Sequence, residues 1–210
     1  MSSLAPGDIA ESTNDRSRRR RRQVLDAAEV CFRRHGFHAA SMAGVAAEAG
    51  MSVGHIYRYF ENKEAIVAAI VERDLQDAAA QFAQMREAPQ GVVAAMVDGL
   101  DECVDRAANR QASALFLEVM AEAGRNPKIA EMAAAEHGAT RQWLMALFAS
   151  GRGAELSESQ IADLADILLL FIAGLRVRAA FDPNIDHERM VRLLSKIITA
   201  TPAADQLEPN

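Results

Sequence analysis

The stretch SMAGVAAEAGMSVGHIYRYFENKE, residues 41–64, decides the fold. Ser41 stands as an N-cap before Met42, Val45, Ala46 and Ala49, a stripe with i, i+3, i+4, i+7 spacing that stops at Gly50. This predicts a helix of about two turns. After Gly50, Met51 and Ser52, the second serine caps a segment over 53–60 in which Ile56 and Phe60 share one face. Two short capped helices joined by a tight turn containing glycine read as a helix-turn-helix at about residues 42–61.

Working outward, Val24, Leu25, Ala28, Cys31 and Phe32 follow helical spacing and predict a first helix over roughly 18–34, ending at Gly36. Residues 1–15 carry Pro, Gly, Ser, Asp and Asn without periodicity and read as a disordered tail. On the other side, Glu61 and Asn62 break the pattern and Lys63 opens a long amphipathic run to about Arg86. Pro89 marks the next boundary, with helical stretches near 91–107 and 111–123. Pro127 suits the first turn of a helix reaching Ser150, and Ser157 with Gln160 forms a capping box for a helix to about Phe181. A last helix over about 186–199 precedes a frayed end.

The expectation is an all-α chain of about nine helices. It has a tail (1–15), a helix-turn-helix domain (16–63), a connecting helix (64–87), a ligand-binding and dimerisation domain (88–202) and a frayed C-terminus (203–210).

The 210 residues are half hydrophobic and one quarter charged, the composition of a globular protein. The net charge of -6 speaks against a nucleic-acid partner until it is divided along the chain. Residues 1–63 carry a net +3 and residues 64–210 a net -9, so one end alone is suited to phosphates. The nine-residue apolar run ILLLFIAGL, 167–175, is under half of a membrane span, so no membrane partner is expected. The acidic N-terminus has no apolar core segment, which points to the cytoplasm. Cys31 and Cys103 lack metal-ligand neighbours and read as reduced thiols.

The segments AASM (39–42) and SVGHIYRYFENKE (52–64) resemble the DNA-binding region of the TetR family of bacterial one-component regulators. The matching positions are Tyr57, Tyr59, Phe60, Lys63 and Glu64, with Ala27, Ala28, Phe32, Gly36, Phe37 and the approach to the turn over 46–50 upstream. The resemblance is close over 22–70 and architectural beyond. It implies a homodimer that binds a palindromic double-stranded operator, usually as a repressor, and releases it when a small molecule enters the C-terminal domain. It also implies that Tyr57 and Tyr59 give hydroxyls to phosphates or base edges, while Ser41, Ser52 and Lys63 hold the DNA backbone.

Residue chemistry adds its own reading. Arg16 and Arg18, Arg19, Arg20, Arg21 and Arg22 concentrate cationic charge before or at the start of the first helix, either as an arm on phosphates or as a solvated cluster. Ser41 and Ser52 sit at helix N-termini, where amides favour an anion, although capping alone explains them too. Val53, Gly54 and His55 lie at the N-terminal end of the reading helix; Val53 suits a thymine methyl, and His55 a base edge or phosphate. Gly54 costs a helix about 1 kcal/mol relative to Ala, which close approach to DNA explains better than stability. Tyr57 has core packing as its alternative. Met42 and Ala43 cannot hydrogen-bond to bases through their side chains.

In the C-terminal part, Phe82, Met85, Met96, Phe116, Met120, Trp143 and Phe148 are expected to line an effector pocket, with ordinary core packing the alternative for most. Glu118 faces either that pocket, where it would favour a cationic amphipathic ligand, or a solvent face shared with Glu122 and Arg125. The run 167–175 is apolar on every face and must be covered on two sides. Leu168, Phe171, Ile172 and Leu175, with Met190, Leu194 and Ile197 of the last helix, are therefore expected at a dimer interface; burial within a monomer is the alternative. No cofactor and no metal is expected, since His35 and His38 flank a loop and His137 and His187 have no partners near in sequence. A helical enzyme and a protein-binding adaptor are the rival functions, but the chain shows no nucleophile with a base and no phosphate loop.

Overall fold

The computed structural model of the chain describes residues 13–200. Most of the proposed tail (1–12) and the whole of the proposed frayed end (203–210) lie outside the described residues. Ten α-helices follow one another, with no strand among the described residues: α1 (Thr13–Ala39), α2 (Met42–Glu48), α3 (Val53–Ile56), α4 (Lys63–Arg86), α5 (Val92–Asp98), α6 (Leu100–Ala108), α7 (Arg110–Ala123), α8 (Pro127–Arg152), α9 (Glu158–Ala179) and α10 (His187–Thr199). They form two compact units divided inside α4, between Ile66 and Val67.

Three boundaries differ from the sequence reading. First, α1 begins at Thr13, so residues 13–15 are helical rather than part of a tail. With Asp15 in its first turn, the helix starts on an acid, and the arginines fall in later turns, where the dipole penalty has faded. Secondly, the stretch 91–107 is two helices meeting at Gly99. A Cβ on Gly99 would lie 2.9 Å from the Met85 Cε of α4, so glycine admits a close crossing there. Thirdly, α3 is one turn long, and residues 57–59 continue as turns rather than helix.

The N-terminal unit is built around Val24, Ala28 and Phe32 of α1, which meet Val45 and Ala46 of α2 and Ile56 and Phe60 beyond them. At Gly36 (φ 75°) the helical backbone of α1 breaks. The C-terminal unit packs Met96, Leu100, Val104, Leu147, Phe148, Leu164, Leu168 and Leu194 into one core. Buried Arg152 donates from Nη1 to the carbonyls of Ile198 (2.9 Å) and Ala200 (2.7 Å), satisfying acceptors at the end of α10 that helix geometry leaves open. Arg141 makes a bidentate pair with Asp166 (2.6 and 2.9 Å) between α8 and α9; these bonds hold the Asp166 carboxyl below the usual range. Both cysteines are free thiols, Cys31 buried and Cys103 partly so, and burial pushes both above the ordinary thiol value.

Candidate nucleic-acid interface

The turn between α2 and α3 is closed by backbone bonds. Gly50, at φ 62°, donates to the Ala47 carbonyl (3.1 Å) and Met51 to the Ala46 carbonyl (2.9 Å), the paired bonds of a Schellman cap that needs a residue at positive φ. The Gln23 side chain of α1 donates to the Ala49 carbonyl at 2.7 Å, fixing the same helix end from the opposite side. Both expected caps are present: Ser41 Oγ accepts from the Gly44 amide (3.0 Å) and Ser52 Oγ from the His55 amide (3.3 Å). Two helix ends and a turn are thus held by hydrogen bonds, and Ile56 anchors α3 from below with no exposed surface.

What α3 presents outward is Val53 (39% exposed), Gly54 and Tyr57 (54% exposed), followed by Arg58. Exposure on this scale removes core packing as the role of Tyr57. A Cβ built on Gly54 meets nothing within 4 Å, and its backbone has no positive φ, so nothing inside the chain calls for glycine there. His55 and Tyr59 are half-buried; the Tyr59 hydroxyl lies 3.4 Å from His55 Nε2, and the rings are 5.4 Å apart. This contact orients the imidazole along the rim of the exposed surface. It was not legible from sequence beyond the i, i+4 spacing.

Lys63, to which the resemblance gives a phosphate-holding role, is tied to its own chain. Its Nζ donates to the carbonyls of Phe37 (2.6 Å) and His38 (3.1 Å) and lies 4.7 Å from the centre of the Phe37 ring. Two of its three protons are therefore used to hold the chain just past the break in α1. Arg18, Arg19, Arg20, Arg21 and Arg22, expected before or at the start of the first helix, lie within α1 past its start, all exposed and distributed around the helix at 100° per residue. Arg21 stacks over Phe60 (4.8 Å to the ring centre) and Arg20 donates to Gln23 (3.0 Å), tying part of the cluster to the helix-turn-helix.

A family model described as "Bacterial regulatory proteins, tetR family" matches residues 24–70, and one described as "BetI-type transcriptional repressor, C-terminal" matches residues 93–202, over half of the chain. The chain belongs to the TetR family. Among TetR relatives, the regulator UidR of Escherichia coli K12 is 36% identical over 119 residues, 56% of this chain and 58% of the relative. The chain thus spans less than two thirds of that relative's length. The regulator BetI of Cronobacter sakazakii is 30% identical over 166 residues, covering 77% of this chain and 79% of the relative. Among solved structures, Salmonella enterica GusR superposes with a TM-score of 0.71 at 29% identity, covering 86% of this chain and 94% of that one. A regulator from Saccharomonospora viridis in complex with choline has the same fold, with a TM-score of 0.69 at 20% identity and coverage of 86% and 96%. Its N-terminal unit is accordingly the helix-turn-helix of a DNA-binding transcriptional regulator.

In the C-terminal unit of this TetR protein, the expected pocket residues do not converge. Met96 and Phe148 are buried in the core, Phe82 and Met85 pack against it, and Met120 is exposed. Phe116 lies beneath the Arg176 guanidinium, 5.0 Å from it, and Glu118 is half-buried. Glu122 is buried and paired with Arg125 at 3.2 Å, which corrects the solvent face proposed for it. Of the expected set, only Trp143 lines the groove of about 420 Å³ between α4 and α8, with Phe82 beside it at 5.6 Å between ring centres. The groove walls are Ala68, Val71, Leu75 and Ala79 on α4 and Met132, Ala135 and Ala139 on α8; Glu72 and Gln76 border it but add almost no polar surface. Sequence spacing marks an apolar face, but it does not say which faces enclose space; here small alanines create the room.

The dimer residues need a similar correction. Leu168, Leu175, Met190 and Leu194 are buried in the chain's own core, and Phe171, Ile172 and Ile197 pack against it. The first four are spent on the chain's own core, whereas Phe171, Ile172 and Ile197 keep part of their surface exposed. The other face of α9 carries Ile167, Leu170, Gly174 and Val177, continued by Phe181 past the helix end; Leu170 and Phe181 are each 73% exposed. That stripe steps by three and four residues, the spacing of a helix seam. No helix among the described residues is long and apolar enough to cross a membrane.

Proposed function

We propose that the chain is a homodimeric repressor that binds a palindromic operator through α3 and is released by a small molecule held in the groove between α4 and α8. The observation that carries the DNA-reading part is the surface Val53, Gly54, Tyr57, exposed on a helix whose cap, turn and anchor are all fixed. Ser41 and Ser52 offer hydroxyls at two helix starts, and Arg18, Arg19 and Arg22 add positive charge on α1 for phosphates. The purified protein is expected to retard DNA from upstream of its own gene, with affinity falling steeply between low and moderate salt as phosphate contacts release counterions. Binding that is absent, or indifferent to salt, overturns the reading. In a reporter strain the operator is expected to be silenced by the protein; activation would reverse the assigned sign.

The second copy is assigned to the stripe Ile167, Leu170, Gly174, Val177 and Phe181, since TetR regulators are typically dimeric and these apolar side chains are left uncovered by their own chain. For the effector, an almost wholly apolar groove with a Trp143 wall suits an apolar compound or, through the face of the indole, a cationic amphipathic one. The fold-mate from Saccharomonospora viridis, which was solved with choline, agrees with that chemistry. Thermal-shift screening of quaternary ammonium and neutral amphipathic compounds, with Trp143→Ala as the control, tests it: the best hit is expected to stabilise the native chain and not the variant.

A further inference from the structure

His187, set aside in the sequence for want of neighbours, acquires two in the folded chain. Asp101 and Asp105 are one turn apart on the exposed face of α6, and His187 is the first residue of α10. Its Nε2 lies 3.0 Å from an Asp105 carboxylate oxygen and 3.3 Å from the Asp101 main-chain oxygen, while its Nδ1 lies 3.7 Å from an Asp101 carboxylate oxygen. One nitrogen and two carboxylate oxygens, one from each residue, fall within 4.8 Å of one another.

We propose that Asp101, Asp105 and His187 form a binding site for a divalent transition-metal cation of the zinc class, joining α6 to α10. The ring meets oxygen acceptors on both sides, a setting that favours positive charge between them, supplied by a second ring proton or by a bound cation that takes the proton's place. Ligands bonded to zinc at about 2.0–2.2 Å stand roughly 3.0–3.6 Å apart; these three atoms lie within 4.8 Å of one another, and side-chain rotation of the two exposed aspartates would bring them to that spacing. An imidazole nitrogen with two carboxylates favours zinc, cobalt or nickel over calcium or magnesium, which prefer all-oxygen sets. The field is suitable as well: Asp186 caps α10 and Glu188 lies in its first turn, so the positive helix end is already met by carboxylates. With both aspartates exposed, waters complete the coordination, and the site is open rather than a closed structural cage.

The test uses the full chain, stripped with chelator and titrated with Zn²⁺ by calorimetry and with Co²⁺ by visible absorption. One ion per chain is expected. His187→Gln and Asp105→Asn should each weaken uptake at least about tenfold, because each removes a direct ligand and even outer partners of ligands are worth that much. A His35→Gln, His38→Gln double variant serves as the control and should bind as the wild type does. Zn²⁺ is also expected to raise the melting temperature of the wild type and not of His187→Gln, whose folding is checked by its helical circular dichroism. No uptake, uptake unchanged in His187→Gln and Asp105→Asn, or uptake lost in the control each overturns the assignment.

Discussion

Lys63 holds Phe37: its ammonium donates to the Phe37 carbonyl at 2.6 Å and lies 4.7 Å from the centre of the same residue's ring. The start of α4 is thereby tied to the chain just beyond the break in α1 at Gly36. Hydrogen bonds from charged donors contribute about 1.5–3 kcal/mol, and the half-exposed position of Lys63 places its tie toward the lower figure. Lys63→Ala is expected to destabilise the N-terminal unit by about 2 kcal/mol in urea unfolding. It should also weaken operator and unrelated DNA by similar factors. A variant as stable as the wild type would show that the tie is unimportant.

Gly54 separates folding from reading. An added methyl group meets nothing within 4 Å in the chain, so Gly54→Ala should leave stability unchanged or raise it by up to about 1 kcal/mol. Operator affinity is expected to fall tenfold or more, a loss of about 1.4 kcal/mol. Titration of labelled operator with the variant checks this, and undiminished affinity would remove α3 from close contact with the duplex.

Leu170 should govern assembly. A leucine side chain taken from water to an interior contributes about 1.5–3 kcal/mol, and a symmetric interface counts it twice. Leu170→Glu is expected to yield folded monomers in light scattering at concentrations where the wild type is dimeric. Leu168→Glu should instead unfold the chain, because Leu168 is buried in the core. A dimeric Leu170→Glu would place the interface elsewhere.

Glu136 gives a pH dependence of unusual sign. Burial holds its carboxyl above the usual glutamate range, with Arg176 opposing, Asp74 reinforcing and His137 opposing. A proton bound more tightly in the folded chain stabilises it below the unfolded value of about 4.3, and that contribution is lost as pH rises through the raised folded value. Glu136→Gln is therefore expected to melt higher than the wild type at neutral pH, with the difference closing toward pH 4. A constant difference across that range would assign the effect to packing.

The helix-turn-helix was legible because its signals are local. The Ser41 and Ser52 caps, the Gly50 turn and the Ile56 anchor each follow from a few neighbouring residues, and the structure shows all four. The Ser157–Gln160 capping box and the Lys63 start of α4 were readable for the same reason. The break at Gly99 was missed: the helical spacing runs through it, and the Met85 methyl beside it comes from another helix, outside any window around residue 99.

By itself, then, the sequence determined an all-helical chain, the caps and turn of the helix-turn-helix and the division between a basic start and an acidic body. Tertiary structure alone decided which apolar face of α9 is spent on the core and which stays exposed. It also decided that Trp143 meets open space while Phe148 does not, that Lys63 is tied to Phe37, and that His187 meets Asp101 and Asp105. Caps and periodicities depend on residues within a turn or two, whereas these four outcomes depend on how helices distant in sequence pack, which fixes each face only once its neighbours are in place.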